Sequence, residues 1–255
     1  MEERQKNYTI MEGHELPSKS LIYDTEVNPH VELRSMTARD EMQRLSYSTT
    51  QFKTLADIIE NCLIEKPKIH VYDMALGDYE FLLHKLRVVS YGPDYKMIVT
   101  CPFCQHRYET IANLDQIEVI DFDLEKFKQA QEFVLPDAGD TIKIRFQTPR
   151  ILDTIDLKTK ELTRKFKHAD TDFRTLVLLK ETIAEVNGKI MNPDNIDTYI
   201  NKLSAKDLYA IINRLDILNK CIGVDDRLVI DCEECGEEFV SRFQYGPEFL
   251  GPTTI

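Results

Sequence analysis

The amino-acid sequence predicts an α+β fold that is mainly helical and carries a small β-rich module. Three observations support this prediction. Several segments repeat apolar residues at three- and four-residue spacing, as amphipathic helices do. Within residues 132–146, apolar and polar residues alternate on both sides of a glycine-containing turn, which indicates a β-hairpin. Two Cys-x-x-Cys motifs, at residues 101–104 and 232–235, each lie between strand-like segments.

The first fifty residues differ from the rest of the chain because few of their apolar positions are periodic. Pro17 and Pro29 interrupt this region, and residues 20–23 have an extended character. We therefore expect an N-terminal arm, which either lies across its own domain or reaches a neighbouring protein.

Three helices are predicted before the first Cys-x-x-Cys motif. Thr37 and Asp40 form an approximate capping box, which starts a short helix that ends near Leu45. Apolar periodicity predicts a longer helix that begins at residue 54 and ends before Lys66-Pro67. A third helix is expected after Asp73, and Gly92-Pro93 ends it.

The stretch between the two motifs combines strands and helices. Alternating residues predict a strand over 117–122, followed by the hairpin over 132–146. Three helices then follow, at roughly residues 150–166, 171–187 and 204–220. The helical insert would thus connect the two motifs.

The predicted organisation has four parts. They are an extended N-terminal arm (1–50), a helical segment with the first zinc knuckle (51–122), a β-hairpin and helical insert (123–224), and a second knuckle with the C-terminal tail (225–255).

The two motifs predict one zinc site built from Cys101, Cys104, Cys232 and Cys235. A Cys-x-x-Cys turn places two sulfurs about 2.3 Å from one metal, so each motif supplies half of a tetrahedron. Four thiolates close the coordination shell, which favours structural Zn²⁺, one per chain. Two alternatives are that the motifs bind no metal, or that each recruits other ligands such as His106.

The separation of the two motifs is unusual for a zinc ribbon. Such pairs commonly lie about 15–20 residues apart, whereas residues 105–231 intervene here. Lengthening a closed loop from roughly 20 to roughly 130 residues costs about 1.7 kcal/mol. Zinc binding contributes about 10–16 kcal/mol in small zinc domains. The long insert is therefore compatible with a joint site.

Composition argues against several function classes. The formal net charge is −12, whereas proteins that bind nucleic acid rely on a basic surface. No run reaches the roughly 18 apolar residues of a membrane span. The charged N-terminus does not resemble a signal peptide, which favours a reducing compartment and zinc thiolates over disulfides. Cys62 and Cys221 fall on apolar helical faces and are expected as buried small residues.

Enzymatic signatures are also lacking in the sequence. It contains no glycine-rich phosphate loop, no His-Glu-x-x-His motif and no Gly-x-Ser-x-Gly motif. We therefore expect a non-enzymatic protein without catalytic residues.

Several segments around the two motifs resemble a known family. They are residues 31–37, 71–74, 77–83, 91–96, 146–150 and 243–247. Together with the motifs, they make the chain similar to the zinc-ribbon baseplate proteins of contractile-tailed bacteriophages, which are related to the hub assembly proteins of the T-even type. The chain departs from the ribbon pattern at Gln105 and His106, where glycine is usual, and the tip of the second knuckle is acidic at Glu233 and Glu234.

The resemblance implies a role in assembly of the tail baseplate hub, either as a built-in component or as an assembly chaperone. Its partners would be other tail or baseplate hub proteins, with the tape measure protein and a second copy of the chain left open. Its location would be the virion tail baseplate, or the host cytoplasm during tail assembly. The alternative function is a zinc-ribbon, nucleic-acid-associated regulator of transcription or translation.

Overall fold

Helices and small antiparallel sheets share the chain, and the predicted α+β class is confirmed. The computed structural model describes residues 10–167, 171–243 and 245–252. The helices are α1 (Ala38–Arg44), α2 (Gln51–Cys62), α3 (Leu76–Tyr91), α4 (Leu124–Gln131), α5 (Pro149–Lys165), α6 (Phe173–Thr182), α7 (Pro193–Ile200) and α8 (Ala205–Asn219). The strands are β1 (Met11–Glu15), β2 (His30–Arg34), β3 (Asp94–Thr100), β4 (Arg107–Asn113), β5 (Glu132–Val134), β6 (Thr141–Ile144), β7 (Ile183–Val186), β8 (Lys189–Ile190), β9 (Arg227–Asp231) and β10 (Glu238–Arg242).

The strands form four antiparallel sheets within the described residues. Three are two-stranded: β1 with β2, β3 with β4, and β9 with β10. The fourth has four strands in the order β5-β6-β7-β8. Its first two strands confirm the hairpin predicted over residues 132–146.

The N-terminal region packs on the core of its own chain from residue 10 onward. Leu16 and Leu33 are fully buried among residues of α2 and α3. The buried carboxylate of Asp78 on α3 accepts hydrogen bonds from the Ser18 N–H at 2.9 Å and from the Tyr23 hydroxyl at 2.6 Å. These bonds attach the segment after β1 to α3. The division into four parts stays a prediction.

The predicted helices before the first motif are confirmed. Thr37 and Asp40 form the capping box of α1, with the Asp40 carboxylate accepting from the Thr37 N–H at 2.9 Å. α2 buries Leu55, Ile58 and Ile59, so its apolar stripe faces the core as the periodicity predicts. α3 ends at Tyr91, directly before the Gly92-Pro93 pair.

The prediction of a helix over residues 171–187 is wrong for its last five residues. α6 ends at Thr182, and the chain continues as β7. Asn187 and Gly188 both have positive φ, of 52° and 71°, and form the two-residue turn into β8. An Asn-Gly pair is the usual turn of a tight hairpin, and here it outweighs helical periodicity.

The prediction of a strand over residues 117–122 is also wrong. The structure shows a single bridge there, between Val119 and Val224. A further helix, α7, follows Asn192, whose side chain caps the helix by accepting from the Asn195 N–H. Asn followed by Pro at the first helical position is a helix-start signal, and α7 is a helix beyond those predicted from the sequence.

Two main cores and one small core organise the described residues. The first contains β2, α2, α3 and the C-terminal residues Phe249 and Leu250. The second lies between the four-stranded sheet, α4 and α8. The third lies at the two Cys-x-x-Cys motifs. None of the helices in these described ranges is long and apolar enough to cross a membrane.

Candidate metal centre

Each Cys-x-x-Cys motif is the turn of a two-stranded hairpin. The first turn follows β3 and leads into β4, while the second follows β9 and leads into β10. Both hairpins therefore have the strand, knuckle, strand order that the sequence predicts. Because each turn lies at the tip of its own hairpin, the two pairs of thiols can meet although residues 105–231 separate them in the chain.

The four cysteine sulfurs form one compact group. All four Sγ atoms lie within 4.8 Å of one another. Cys101 Sγ lies 3.7 Å from Cys235 Sγ, and Cys104 Sγ lies 3.6 Å from Cys232 Sγ. Four sulfurs at about 2.3 Å from a central Zn²⁺ would lie about 3.8 Å apart at the corners of a regular tetrahedron. The observed spacing therefore fits this ion.

The same spacing does not correspond to disulfides. A disulfide requires sulfurs about 2.05 Å apart, and all six cysteines of the chain are free thiols. The two short Sγ distances also join one hairpin to the other, and not the two cysteines within a motif. An ion shared by both motifs requires sulfurs of different hairpins to lie close together in this way.

The backbone of the two knuckles is nearly identical. The Gln105 N–H donates to Cys101 O at 3.0 Å, and the Gly236 N–H donates to Cys232 O at 2.9 Å. Both residues have positive φ, 61° at Gln105 and 74° at Gly236. A side chain at positive φ is unfavourable, and Gln105 is held there with an additional bond from its Nε2 to Pro102 O at 3.0 Å.

The environment of the sulfurs favours a thiolate at one position. Backbone N–H groups of Cys235 and Glu234 donate toward Cys232 Sγ and lower the pKa of this thiol to about 6, although burial opposes the shift. At Cys235 the Glu237 N–H also favours the thiolate, but burial and bonds with neighbouring thiols outweigh it and raise the pKa to about 12. Without a cation the group therefore retains protons, which metal binding would release.

His106 does not join the sulfur group. The four cysteines are the residues that the structure brings together as a possible ion site in the described chain. The His106 ring instead stacks on Tyr108, with ring centroids 5.4 Å apart and an interplanar angle of 19°. Sites built separately on each motif are therefore not supported by this arrangement. The role of the four cysteines as zinc ligands stays a prediction.

A small apolar core packs against the sulfur group. Val99 and Phe239 are buried against Cys101 and Cys232. Tyr108 borders this core, and its hydroxyl donates to Asp231 O of the other hairpin at 3.2 Å. Sequence reasoning did not identify these aromatic residues, although a signal exists: Tyr108 and Phe239 each lie four positions after the second cysteine of their motif.

The two remaining cysteines lie away from this group. Cys62 is fully buried at the end of α2, and burial raises the pKa of its thiol to about 12. Cys221 is half-buried after α8, and its thiol donates to Ile217 O at 3.2 Å. Cys62 therefore lies on a packed helical face, as predicted. The prediction is wrong for Cys221, because α8 ends at Asn219 and this residue lies, only partly buried, in the turn that follows.

Comparison with protein families gives a match that spans most of the chain. The model of the family described as T4 bacteriophage base plate protein matches residues 14–250. This range includes both Cys-x-x-Cys motifs, both main cores and the segments that carry the resemblance. No curated protein and no solved structure matches the chain. The family match confirms the predicted likeness to phage baseplate proteins: the chain belongs to the T4 bacteriophage base plate protein family.

Proposed function

We propose that this chain is a non-enzymatic structural protein of the phage tail that acts in assembly of the baseplate hub. It would serve either as a hub component or as an assembly chaperone, located in the virion tail baseplate or in the host cytoplasm during assembly. Membership of the baseplate family supports the structural tail role. The single structural observation that carries the proposal further is the convergence of four thiols from two distant hairpins.

In this proposal one structural Zn²⁺ per chain is held by Cys101, Cys104, Cys232 and Cys235. The ion would join the tips of two hairpins, which meet there in a small apolar core. A small core contributes little stability, so a metal link at this point would decide how the hairpins are arranged. The arrangement of the hairpins would in turn shape the surface that faces other tail proteins.

Partners of this protein would be other tail or baseplate hub proteins, with the tape measure protein among the candidates. The described surface carries apolar side chains that suit such contacts. Met42 in the last turn of α1, and Leu45 and Tyr47 directly after this helix, are exposed within a short stretch. Exposed apolar residues that cluster in this way are typical of protein-binding surfaces.

The alternative, a zinc-ribbon regulator that binds nucleic acid, is less well supported. The net charge is −12, and the tip of the second knuckle exposes Glu233 and Glu234. Phosphate backbones require a basic surface, and their binding weakens steeply with salt. A filter-binding titration at two salt concentrations separates the functions, because the baseplate role predicts no salt-dependent retention of DNA or RNA.

The proposal is tested with the double variant Cys101→Ser, Cys232→Ser, and with Cys221→Ser as a matched control outside the sulfur group. Elemental analysis should give one zinc per wild-type chain and none in the double variant. Native mass spectrometry with purified tail proteins should show complexes of the wild type and of Cys221→Ser only. A zinc-free double variant that still assembles would refute the role of the metal, and a wild type that joins no baseplate intermediate would refute the assembly role.

A further inference from the structure

A cleft of about 590 Å³ separates the two hairpins on one side of the sulfur group. Its walls are residues 110–113 of β4 and residues 227–231 of β9. The bond from the Tyr108 hydroxyl to Asp231 O crosses between the hairpins at the end near the sulfurs. At the other end the bridge between Val119 and Val224 joins the two chain segments. The cleft is therefore a slot with both ends fixed.

The backbone of β9 presents hydrogen-bonding groups to this slot. The Cys232 N–H donates to Glu237 O at 3.0 Å, so this pair bonds across the hairpin. In an antiparallel ladder such pairs alternate with pairs whose N–H and C=O groups point outward. The outward positions of β9 therefore include Val229 and Asp231, which agrees with the bond that Asp231 O accepts from Tyr108.

The backbone of β4 presents the same groups from the opposite wall. The Cys101 N–H donates to His106 O at 2.9 Å, so His106 is a position that bonds across the hairpin. Every second residue after His106 bonds in the same way, and the residues between them point their N–H and C=O groups outward. Ile111 is one of these outward positions. In the described part of the chain, β4 pairs with β3 alone and β9 pairs with β10 alone. Two strand edges without a strand partner thus face one slot, although Asp231 O accepts from Tyr108 and the Arg227 N–H donates to Asp225. Such edges are templates for an added strand.

The side chains of the slot define which strand would fit. Ile111 is 60% exposed and Val229 is 64% exposed, so an apolar contact is available on each wall. Arg227 is paired with Asp225 at 2.5 Å, which neutralises the basic residue of the lining. The carboxylates of Glu118 and Asp231 form no ion pair with any described residue. The lining therefore carries an excess of negative charge.

We propose that this slot binds an extended, basic segment of another baseplate protein by strand addition between β4 and β9. Lysine or arginine side chains of the segment would meet the free carboxylates, and aliphatic side chains at alternate positions would cover Ile111 and Val229. A second copy of this chain fits less well, because both copies carry a net charge of −12. The nature of the partner rests on the proposed function, whereas the strand-binding property of the slot does not.

Geometry limits the length and direction of the bound segment. β9 contributes five residues to the wall, and a matching strand of about five residues would extend over about 17 Å. β4 leads away from its cysteine motif and β9 leads toward its motif, so the two walls run in opposite directions. The bound strand is therefore parallel to one wall and antiparallel to the other.

The first experiment uses a synthetic peptide, Lys-Val-Lys-Val-Lys-Val-Lys, titrated into the purified full chain. Amide NMR should show saturable shifts confined to residues 109–113 and 227–231. Two control peptides separate the contributions: the Glu-Val counterpart tests charge, and the Lys-Val peptide N-methylated at alternate amides tests backbone pairing. Both should bind at least tenfold more weakly. Absence of saturable shifts, shifts spread over other acidic surfaces, or equal binding of the N-methylated peptide would overturn the proposal.

The second experiment compares matched proline variants. Val229→Pro removes an outward N–H that faces the slot, while Val240→Pro removes the equivalent N–H on the opposite edge of the same hairpin, since Val229 pairs with Val240. Ile111→Pro and Ile98→Pro form the same comparison on the first hairpin, where the two isoleucines are similarly exposed, at 60% and 56%. Circular dichroism verifies that each variant is folded.

Peptide affinity should fall at least tenfold in Val229→Pro and Ile111→Pro and stay within twofold in the two control variants. Equal losses on both edges would overturn the slot as the binding site. Sedimentation could show that the wild type self-associates and that only Val229→Pro loses this self-association. That result would assign the slot to a second copy of the chain and overturn the proposal of a different partner protein. If Val229→Pro loses the peptide but still joins tail complexes, the slot is not the partner site, while the proposed function stands.

Discussion

Gly77 and Gly223 contact each other backbone to backbone. A Cβ atom at Gly77 would lie 2.3 Å from Ile222 O, and one at Gly223 would lie 3.0 Å from Gly77 Cα. Gly77 belongs to the first turn of α3, and the chain after α8 crosses it at this point. Only glycine permits such an approach, because any side chain would occupy the space of the other backbone.

Gly77→Ala should therefore be strongly destabilising. The added methyl group meets backbone that cannot rotate away, so we expect a loss of about 3 kcal/mol in the free energy of unfolding, measured by urea titration. Gly13→Ala is the matched control because no atom lies within 4 Å of its Cβ. It should change stability by less than about 0.5 kcal/mol. Equal effects of the two variants would contradict a specific contact.

Stability should decrease as the pH falls below 7 because of His84. This residue is buried on α3, and its Nε2 lies 2.8 Å from the Tyr245 hydroxyl. Burial, assisted by the charge of Lys85, lowers the pKa of His84 from 6.5 to about 3. The unfolded chain therefore takes up a proton near pH 6.5 that the folded chain rejects, and stability is lost as pH falls through this range.

Between pH 7 and pH 5 this one group should cost about 2 kcal/mol of unfolding free energy. His84→Gln removes the titrating ring, so the slope of unfolding free energy against pH should flatten between these values. His30→Gln, a substitution at an exposed histidine, is the matched control variant. An unchanged slope in His84→Gln would show that another group carries the pH dependence.

The two knuckles should respond differently to matched substitutions. Gly236→Ala places a Cβ at a φ of 74°, in open space, so backbone strain alone should cost about 1 kcal/mol. Gln105→Gly relieves the same strain at a φ of 61° but adds freedom to the unfolded chain, and should be close to neutral. Thermal unfolding of both variants in the same Zn²⁺-containing buffer measures the difference. A larger loss in Gln105→Gly would mean that its bond to Pro102 O dominates.

Asp153 on α5 should be a stabilising residue for the start of α2. Its buried carboxylate accepts from the Lys53 N–H at 2.9 Å and from the Tyr72 hydroxyl at 2.9 Å. Asp153→Ala would leave both donors without this partner and should cost about 2–3 kcal/mol by chemical denaturation. Asp156→Ala, on the same helix, removes a surface pair with Arg174 and should cost less than about 1 kcal/mol. Similar losses would contradict the capping role.

The features that the sequence predicts well depend on short-range patterns. The capping box at Thr37, the apolar stripe of α2 and the end of α3 at Gly92 are all determined by residues within a few positions. The knuckles belong to the same class, since each turn is complete within six residues from Cys101 or Cys232. That the two pairs of cysteines meet could be inferred because four thiolates complete the coordination shell of one ion.

The features that the sequence does not predict depend on distant contacts. Residues 117–122 alternate like a strand, yet their partner segment offers only the Val224 bridge, so no ladder develops. The contact of Gly77 with Gly223 joins positions that no local pattern connects. The hydrogen bonds of Asp78 with the N-terminal region are of the same kind, because a single buried carboxylate carries no periodic signal.

The order in which the two pairs of cysteines are translated has a consequence for the timing of assembly. Cys101 and Cys104 leave the ribosome more than a hundred residues before Cys232 and Cys235. During that interval the first hairpin exists without its counterpart, and neither the slot nor the sulfur group can be complete. A chain released early would lack both features, so a tail protein that recognises the joined hairpins would select against truncated products before they enter a particle.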